Sequence, residues 1–248
     1  MAQFGYQSMG FGGGGSAAPT VTRESDLVLW YKFDETSGTT ASPSVGSGDM
    51  TLTNGAAFAS GGKNGYTTDY DGTNDYAAST SGPTVTGDCT ISYWAYCEFV
   101  QSGRGHVSSR NYYTSGYDNN FTIRSHGSGG TGDLFFYMGD GTSVVGTVSD
   151  TNNADNAWYH FALVLDASEE LVTIYSNATV PSTNGTLATG GRTFADMSNG
   201  LTLGMYHQSG GGPWGAFRGL IDDLRVYNVA LTSGNVTSIY NSGDGDFV

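Results

Sequence analysis

The sequence predicts an all-β fold, an antiparallel two-sheet sandwich of the jelly-roll kind, with an extended N-terminal tail in front of it. Three observations predict it. The 248 residues include 39 Gly, 16 Tyr and 12 Phe but two Lys and five Glu, so the straight-chain residues that favour long helices are the scarce ones. Short alternating or apolar runs recur along the chain, separated by clusters of Gly, Asn, Asp and Pro, the residues that form turns. Strand candidates follow one another with no helical pattern between them, which is the order of an antiparallel sandwich and not of a βαβ sheet. The length suits one such domain, and a domain of this size buries roughly 70 % of its unfolded surface without staples.

Residues 1–26 stand apart. Phe4, Tyr6, Met9 and Phe11 are spaced by Gly, Gln and Ser, and a run of glycines at 12–15 leads into Ser16, Ala17, Ala18 and Pro19. Such a segment buries too little to order itself. It reads as an arm whose Phe4, Tyr6, Met9 and Phe11 anchor in pockets on a partner, with the glycines threading between subunits.

The domain proper is expected over 27–242, with a C-terminal tail over 243–248. Leu27–Phe33 opens it as a strand, placing Leu27, Leu29, Tyr31 and Phe33 on one face by period-two alternation. Further strands are expected over 66–70, 75–79, 89–99, 119–125, 133–138, 143–149, 157–166, 171–177, 200–206 and 217–228, with turns at 71–75, 127–130 and 210–213. The run 156–166 is apolar on both faces, as suits a central strand between two layers. Trp94 and Trp158 are expected inside the sandwich, where large rings bury most area. Residues 232–240 alone read as a short helix, with Leu231, Val236, Ile239 and Tyr240 turned inward.

Charge excludes two classes of partner. Nine basic residues against 23 acidic ones give 9 − 23 = −14 at pH 7. Nucleic-acid affinity comes from Lys and Arg neutralising phosphates, and an anionic membrane surface repels an acidic chain. No stretch reaches 18 apolar residues, so no membrane span is expected. The N-terminus shows neither the basic nor the apolar region of a signal peptide. Cys89 and Cys97 end one strand-like run, and eight extended residues set them roughly 26 Å apart, beyond the ~7 Å a disulfide spans. Free thiols suit a protein that folds in a reducing cytoplasm. Four Asn-x-Ser/Thr patterns, beginning at Asn120, Asn177, Asn184 and Asn235, carry no weight in a chain this rich in Asn and Thr.

Four segments in order carry a resemblance. Leu29-Trp-Tyr-Lys-Phe-Asp-Glu-Thr-Ser-Gly38 is an opening strand and turn, and Tyr70-Asp-Gly-Thr-Asn-Asp-Tyr76 is a tight turn between strands. Thr90-Ile-Ser-Tyr-Trp94, Trp158-Tyr-His-Phe-Ala162 and Val172-Thr-Ile-Tyr-Ser-Asn177 are core strands. Gly219-Leu-Ile-Asp-Asp-Leu-Arg-Val-Tyr-Asn228, followed by Ala230-Leu231, closes the domain. Over 29–241 the set resembles the laminin-G-like, concanavalin A-like jelly-roll superfamily of lectin and glucanase domains. That resemblance implies the fold and leaves the function open, because the fold hosts lectins, adhesion modules, enzymes and virion parts.

Three kinds of site follow. Glucanases that share the resemblance carry a Glu-x-Asp-x-x-Glu strand setting two carboxylates across a sugar bond. None of Glu24, Glu35, Glu98, Glu169 and Glu170 forms that spacing, and no hydrolase, metalloprotease or phosphate-loop motif occurs. The chain therefore reads as no enzyme, with His160 a hydrogen-bonded structural histidine between Tyr159 and Phe161. The resemblance also implies a structural Ca²⁺, for which Asp222, Asp223 and Asp49 are the candidate ligands. A glycan is expected on two loops that combine aromatic faces with Asn, Asp and Gly. Tyr112, Tyr113, Tyr117 and Asn119 are the candidates in one, and Tyr206, His207 and Trp214 in the other.

The leading expectation is a non-catalytic virion structural protein, a decoration, fibre or spike subunit of a tailed phage. It would assemble in the host cytoplasm as a homo-oligomer and contact capsid or tail subunits through its arm. The alternative is a carbohydrate-binding or adhesion module of a microbial surface protein, in an extracellular or cell-surface location. A glycan hydrolase is the most distant reading.

Overall fold

The computed structural model describes residues 22–98, 101–109, 121–127, 131–139, 143–183, 185–194, 197–207 and 213–246. Phe4, Tyr6, Met9 and Phe11, on which the arm and the virion reading rest, lie outside the described residues. In chain order the first nine strands are β1 (Leu27–Tyr31), β2 (Thr40–Ala41), β3 (Met50–Thr53), β4 (Ala57–Ser60), β5 (Tyr66–Asp71), β6 (Tyr76–Ser79), β7 (Cys89–Cys97), β8 (Arg104–Ser109) and β9 (Phe121–Gly127). The other nine are β10 (Thr131–Gly139), β11 (Val144–Ala154), β12 (Ala157–Asp166), β13 (Leu171–Ser176), β14 (Thr186–Ala188), β15 (Leu201–Leu203), β16 (Tyr206–His207), β17 (Pro213–Trp214) and β18 (Arg218–Tyr227). One α-helix, α1 (Ser233–Tyr240), follows them.

Two antiparallel eight-stranded sheets form the sandwich. The first runs β14-β13-β12-β7-β18-β5-β4, with β1 also paired to β18, and the second runs β11-β10-β9-β8-β15-β6-β3-β2. Alternation along each strand sorts the side chains. On β7, Cys89, Ile91, Tyr93, Ala95 and Cys97 enter the core between the sheets, leaving Thr90, Ser92 and Trp94 buried on the other face. Phe161, Leu163 and Leu165 of β12 and Phe121 and Ile123 of β9 fill the same core. Both cysteines are free and buried, at opposite ends of β7, as the strand reading required. Burial pushes the Cys97 thiol up to about 12.

The elements that composition hid include three edges, the short strand β3 between β2 and β6, and one polar strand. β2, β4 and β14 are edge strands with a single neighbour each, short as exposed edges tend to be. β8 lies between β9 and β15, yet it reads Arg-Gly-His-Val-Ser-Ser. Its polar groups find partners inside: Tyr93 Oη and His106 Nδ1 lie 3.1 Å apart, and Ser109 Oγ accepts from Phe121 N at 3.0 Å. The expected strand at 200–206 is divided into β15 and β16, with Gly204 at φ 77° between them. Leu27 departs from its expected face, because a register irregularity between Leu27 and Leu29 puts Leu27 with Trp30 in a second cluster, while Leu29, Tyr31 and Phe33 stay in the main core.

That second cluster lies on the outer face of the first sheet, beneath α1. Thr232 and Asn235 form a capping box at the helix start, which satisfies amides that have no partner in a first turn. Val236 and Ile239 then pack on Leu27, Trp30 and Tyr227, and Tyr240 stacks on Trp94 with ring centroids 5.8 Å apart. Trp94 is thus buried between sheet and helix, not between the sheets. Trp158 departs further from expectation: it is half-buried on the same outer face, against Tyr96 at 5.7 Å.

A bulge in β18 puts charge under the helix. Asp222 pairs with Trp94 and Arg225 with Ser92, so two residues of β18 lie opposite one of β7, and Asp223 takes the left-handed φ of 52° that the bulge demands. Ile221, Leu224 and Val226 stay in the main core, while Arg225, fully buried, faces outward. Its Nε donates to Asp223 Oδ1 at 3.0 Å, its Nη1 bonds the Asp246 carboxylate, and its Nη2 donates to the Asp246 carbonyl at 3.1 Å. Trp30 Nε1 donates to Asp223 Oδ1 at 2.6 Å, and Thr22 N donates to Asp246 Oδ2 at 2.7 Å. The expected C-terminal tail is therefore bound into the domain as far as Asp246.

Removing one member of a buried ion pair strands the other charge, at a cost of about 3–5 kcal/mol. Arg225→Met is accordingly expected to lower the melting temperature by roughly 10 °C, read by circular dichroism. The double replacement Asp223→Asn with Arg225→Met is expected to recover part of that loss, and equal melting of wild type and single variant would contradict the network.

Candidate functional site

One end of the sandwich gathers polar side chains around an exposed aromatic ring, and local turn chemistry builds it. Between β5 and β6, Gly72 takes φ 80°, and Asp71 Oδ1 accepts from Thr73 N at 2.7 Å. Asp75, 2 % exposed, accepts from Asp71 N at 3.0 Å and from Gly55 N at 2.7 Å. A Cβ on Gly72 would stand 2.8 Å from Arg218 Cβ, so glycine lets β18 begin hard against the turn. Arg218 lies opposite Asp71 in register, and its Nε donates to Glu98 Oε2 at 2.8 Å. This pair is exposed and adds little to stability; its consequence is positional.

Two clefts share Asp71 and Arg218. One, about 250 Å³, is lined on its far side by Asp69, Asp75 and Glu98. Burial, and then the Glu98 charge, raise the Asp69 carboxyl above its ordinary value. The other, about 280 Å³, is completed by Thr73, Gln101, Arg104 and Ala216.

The β16–β17 hairpin stands beside the second cleft. Tyr206 pairs with Trp214 and His207 with Pro213. Gly105 N donates to Gly215 O at 2.8 Å, tying the hairpin to β8 at the residue after Arg104. Gly215 has φ 67°, and a Cβ there would meet Gly103 O at 2.1 Å, so the close approach requires glycine. Arg124 lies over the Tyr206 ring at 5.1 Å and over Phe135 at 4.3 Å, which braces the inner side of the hairpin. Trp214 is 58 % exposed.

The structure thus brings Tyr206 and Trp214 together as sequence composition suggested, with the backbone of His207 in the same hairpin. Tyr112, Tyr113, Tyr117 and Asn119 lie outside the described residues. Sequence reasoning missed Arg104, Gln101 and Arg218. Arg218 stands one residue before the closing motif and had a positional signal, whereas nothing in the sequence near Arg104 marks it.

The three carboxylates named for Ca²⁺ are not brought together. Asp49 is exposed, next to β3 of the second sheet. Asp222 accepts from Lys63 N at 2.7 Å and from Asp223 N at 2.9 Å, and Asp223 is bound by Trp30 and Arg225. Among the described residues no group of three His, Cys, Asp or Glu is placed to hold a metal. A hard cation needs six to eight oxygens, and the set formed by Asp49, Asp222 and Asp223 does not fit one. His160 is structural, as expected. Its Nε2 lies 2.8 Å from Ser92 Oγ, both residues are buried, and burial pushes the imidazole down to about 3, so the ring is neutral near pH 7. Its Nδ1 faces no carboxylate, so the Ser92–His160 pair lacks both the orienting acid and the access of a nucleophilic site.

Residues 71–237 match the family model described as the concanavalin A-like lectin/glucanases superfamily, Laminin_G_3. The chain belongs to this superfamily. A search of the curated proteins returns no match. Among solved structures, the chain is similar to domain 4 of AbnA, a GH43 extracellular arabinanase from Geobacillus stearothermophilus, solved in complex with arabinotriose. The identity is 21 %, 86 % of this chain and 97 % of that one are covered, and the TM-score is 0.60. The binding domain of Paraclostridial Mosquitocidal Protein 1 is similar at 14 % identity and TM-score 0.63, covering 88 % of this chain and 52 % of that one. A Trypanosoma rangeli sialidase mutant displaying trans-sialidase activity is similar at 13 % identity and TM-score 0.61, over 92 % of this chain and 35 % of that one. The chain thus spans about half of the toxin domain and a third of the sialidase. At these identities the likeness concerns the fold, which superfamily members use both in binding domains and in enzymes.

The turn that shapes both clefts depends on Asp75. Asp75→Ala leaves two amides without their acceptor and is expected to cost about 2 kcal/mol, measured by denaturant unfolding. Unchanged stability would mean that the turn holds its shape by other contacts.

Proposed function

We propose that this superfamily member is a non-catalytic carbohydrate-binding module that takes its glycan at the hairpin end of the sandwich. One observation carries the reading: Trp214 is the one exposed tryptophan among the described residues, and Ala216, two residues further along the chain, lines a cleft with charged and amide side chains. Sugar rings offer apolar C–H faces to an aromatic plane and hydroxyls to hydrogen-bonding groups at its edge. The superfamily supports the reading, as does the arabinanase domain solved with arabinotriose.

Three of the four carboxylates lining the first cleft have partners that favour binding over hydrolysis. Glu98 is held by Arg218, and Asp71 and Asp75 accept turn amides. Hydrolysis of a glycosidic bond needs one carboxyl that gives a proton and a second left to attack or to activate water. An extracellular or cell-surface location follows from a glycan ligand. No helix among the described residues is long and apolar enough to cross a membrane.

The composition of the arm favours a second use of the same domain, as a subunit of a viral or other homo-oligomeric assembly. Phe4, Tyr6, Met9 and Phe11 are the residues that would anchor it. Deleting residues 1–15 is then expected to abolish assembly, read by sedimentation, with the melting temperature unchanged; assembly by the truncated chain would remove the arm from the mechanism.

The carbohydrate reading is tested on a glycan array with the whole chain, followed by calorimetry on the best ligand. Trp214→Ala is expected to weaken binding at least tenfold, about 1.4 kcal/mol, while melting shifts by no more than about 1 °C because the ring is exposed. A folded chain that binds no glycan on the array would overturn the reading.

A further inference from the structure

We propose that the cleft between Arg104 and Arg218 receives the carboxylate of an acidic sugar, a uronate or a sialate, on the same glycan that stacks on Trp214. The inference rests on the carbohydrate reading and names the ligand class that reading leaves open.

Cations are scarce in this chain, nine against 23 acidic residues, yet two arginines line this one cavity of about 280 Å³. Each is tied on one edge and open on the other. Arg104 Nε donates to Gln101 Oε1 at 2.9 Å, and its Nη2 bonds the same oxygen, leaving Nη1 without a partner among the described residues. Arg218 is held through Nε by Glu98 Oε2 at 2.8 Å, and neither of its Nη atoms has a partner among the described residues. A guanidinium fixed in this way loses little freedom when a ligand arrives. What the cleft presents is therefore a set of oriented donors that carry positive charge.

Donors of this kind select their acceptor. A sugar hydroxyl offers a guanidinium one neutral oxygen, whereas a carboxylate offers two oxygens and an opposite charge, the bidentate acceptor that the fork of an arginine matches. Glu98, which ties Arg218, lines the neighbouring cleft and not this one. Asp71 is the acidic residue of this cleft, and its Oδ1 is occupied by Thr73 N at 2.7 Å. Two arginines and one aspartate line the cavity, with Glu98 offsetting part of the Arg218 charge from the neighbouring cleft, in a chain of −14 overall. The surrounding negative field repels densely charged polymers, so the ligand is a sugar with single or well-spaced carboxylates. The cavity lies at the small end of ligand pockets and has room for one ring.

The test is calorimetry on the full chain with two matched pairs, sialyllactose against lactose and trigalacturonate against its neutral methyl ester. The acid of at least one pair is expected to bind tenfold or more tighter than its neutral partner; preference within the first pair identifies a sialate as the source, and within the second a uronate. Arg218→Gln is expected to bring the ratio near one. Arg218→Lys keeps the charge without the fork and is expected to retain part of it, with melting curves checking that both variants fold. Equal binding within both pairs overturns the proposal and leaves the carbohydrate reading standing, as does binding of neutral array glycans with neither acid bound. Binding of no glycan at all overturns both.

Discussion

Arg225 is a full charge held out of water on the outer face of the first sheet, and much of the surrounding structure answers to it. A buried guanidinium is tolerated where its donors are met by acceptors of opposite charge. Asp223 meets one edge and Asp246 the other, while the Trp30 ring lies 4.5 Å below. Meeting those donors bends β18 into its bulge and brings the chain after α1 back across the sheet. Through Thr22 and Asp246 it also brings the two ends of the described domain together. Such a network contributes less to net stability than to the choice of one arrangement, because each charge is buried only where its partner is present.

The charged network and the candidate binding end lie on opposite halves of β18. The strand's last residues pair with β1 and carry the buried ion pairs, whereas its first residues pair with β5 and begin at Arg218 beside the clefts. A strand pinned by burial along one half offers a rigid base for side chains at the other. Loops and hairpins that carry binding groups work best on such a base. Gly72 and Gly215 then remove the Cβ atoms that would hold turn and hairpin apart from Arg218 and β8. Arg104 and Arg218 line one cleft because the backbone is allowed to come this close.

Much of this was legible from composition and period. The strands with clear alternation, β5 to β7, β10, β12, β13 and β18, lie within a few residues of where the pattern places them, and the short helix ends within a residue of its expected limits. The nearness of Tyr206 and Trp214 was legible too, because a turn signal of Gly and Pro lies between them in the sequence and the two pair in the structure. The polar strand β8 was not legible, since His106 and Ser109 look like loop residues until Tyr93 and Phe121 are seen to satisfy them. Asp222 and Asp223 look alike in the sequence, yet Asp222 accepts the backbone amides of Lys63 and Asp223 while Asp223 meets Trp30 and Arg225.

The sequence by itself determined the two-sheet architecture, the free cysteines and the net acidic charge. Each of these follows from local alternation or from a sum over residues, quantities that neighbours along the chain settle. Tertiary structure alone decided which charges meet: Arg225 with Asp223 and Asp246, Arg218 with Glu98, and Arg104 across a cleft from Arg218. Arg218 and Glu98, 120 positions apart, become neighbours there through register and glycine-permitted approach, and the β18 bulge turns Arg225 towards its partners. Register depends on the burial of whole faces, and a linear pattern of residue types does not record it.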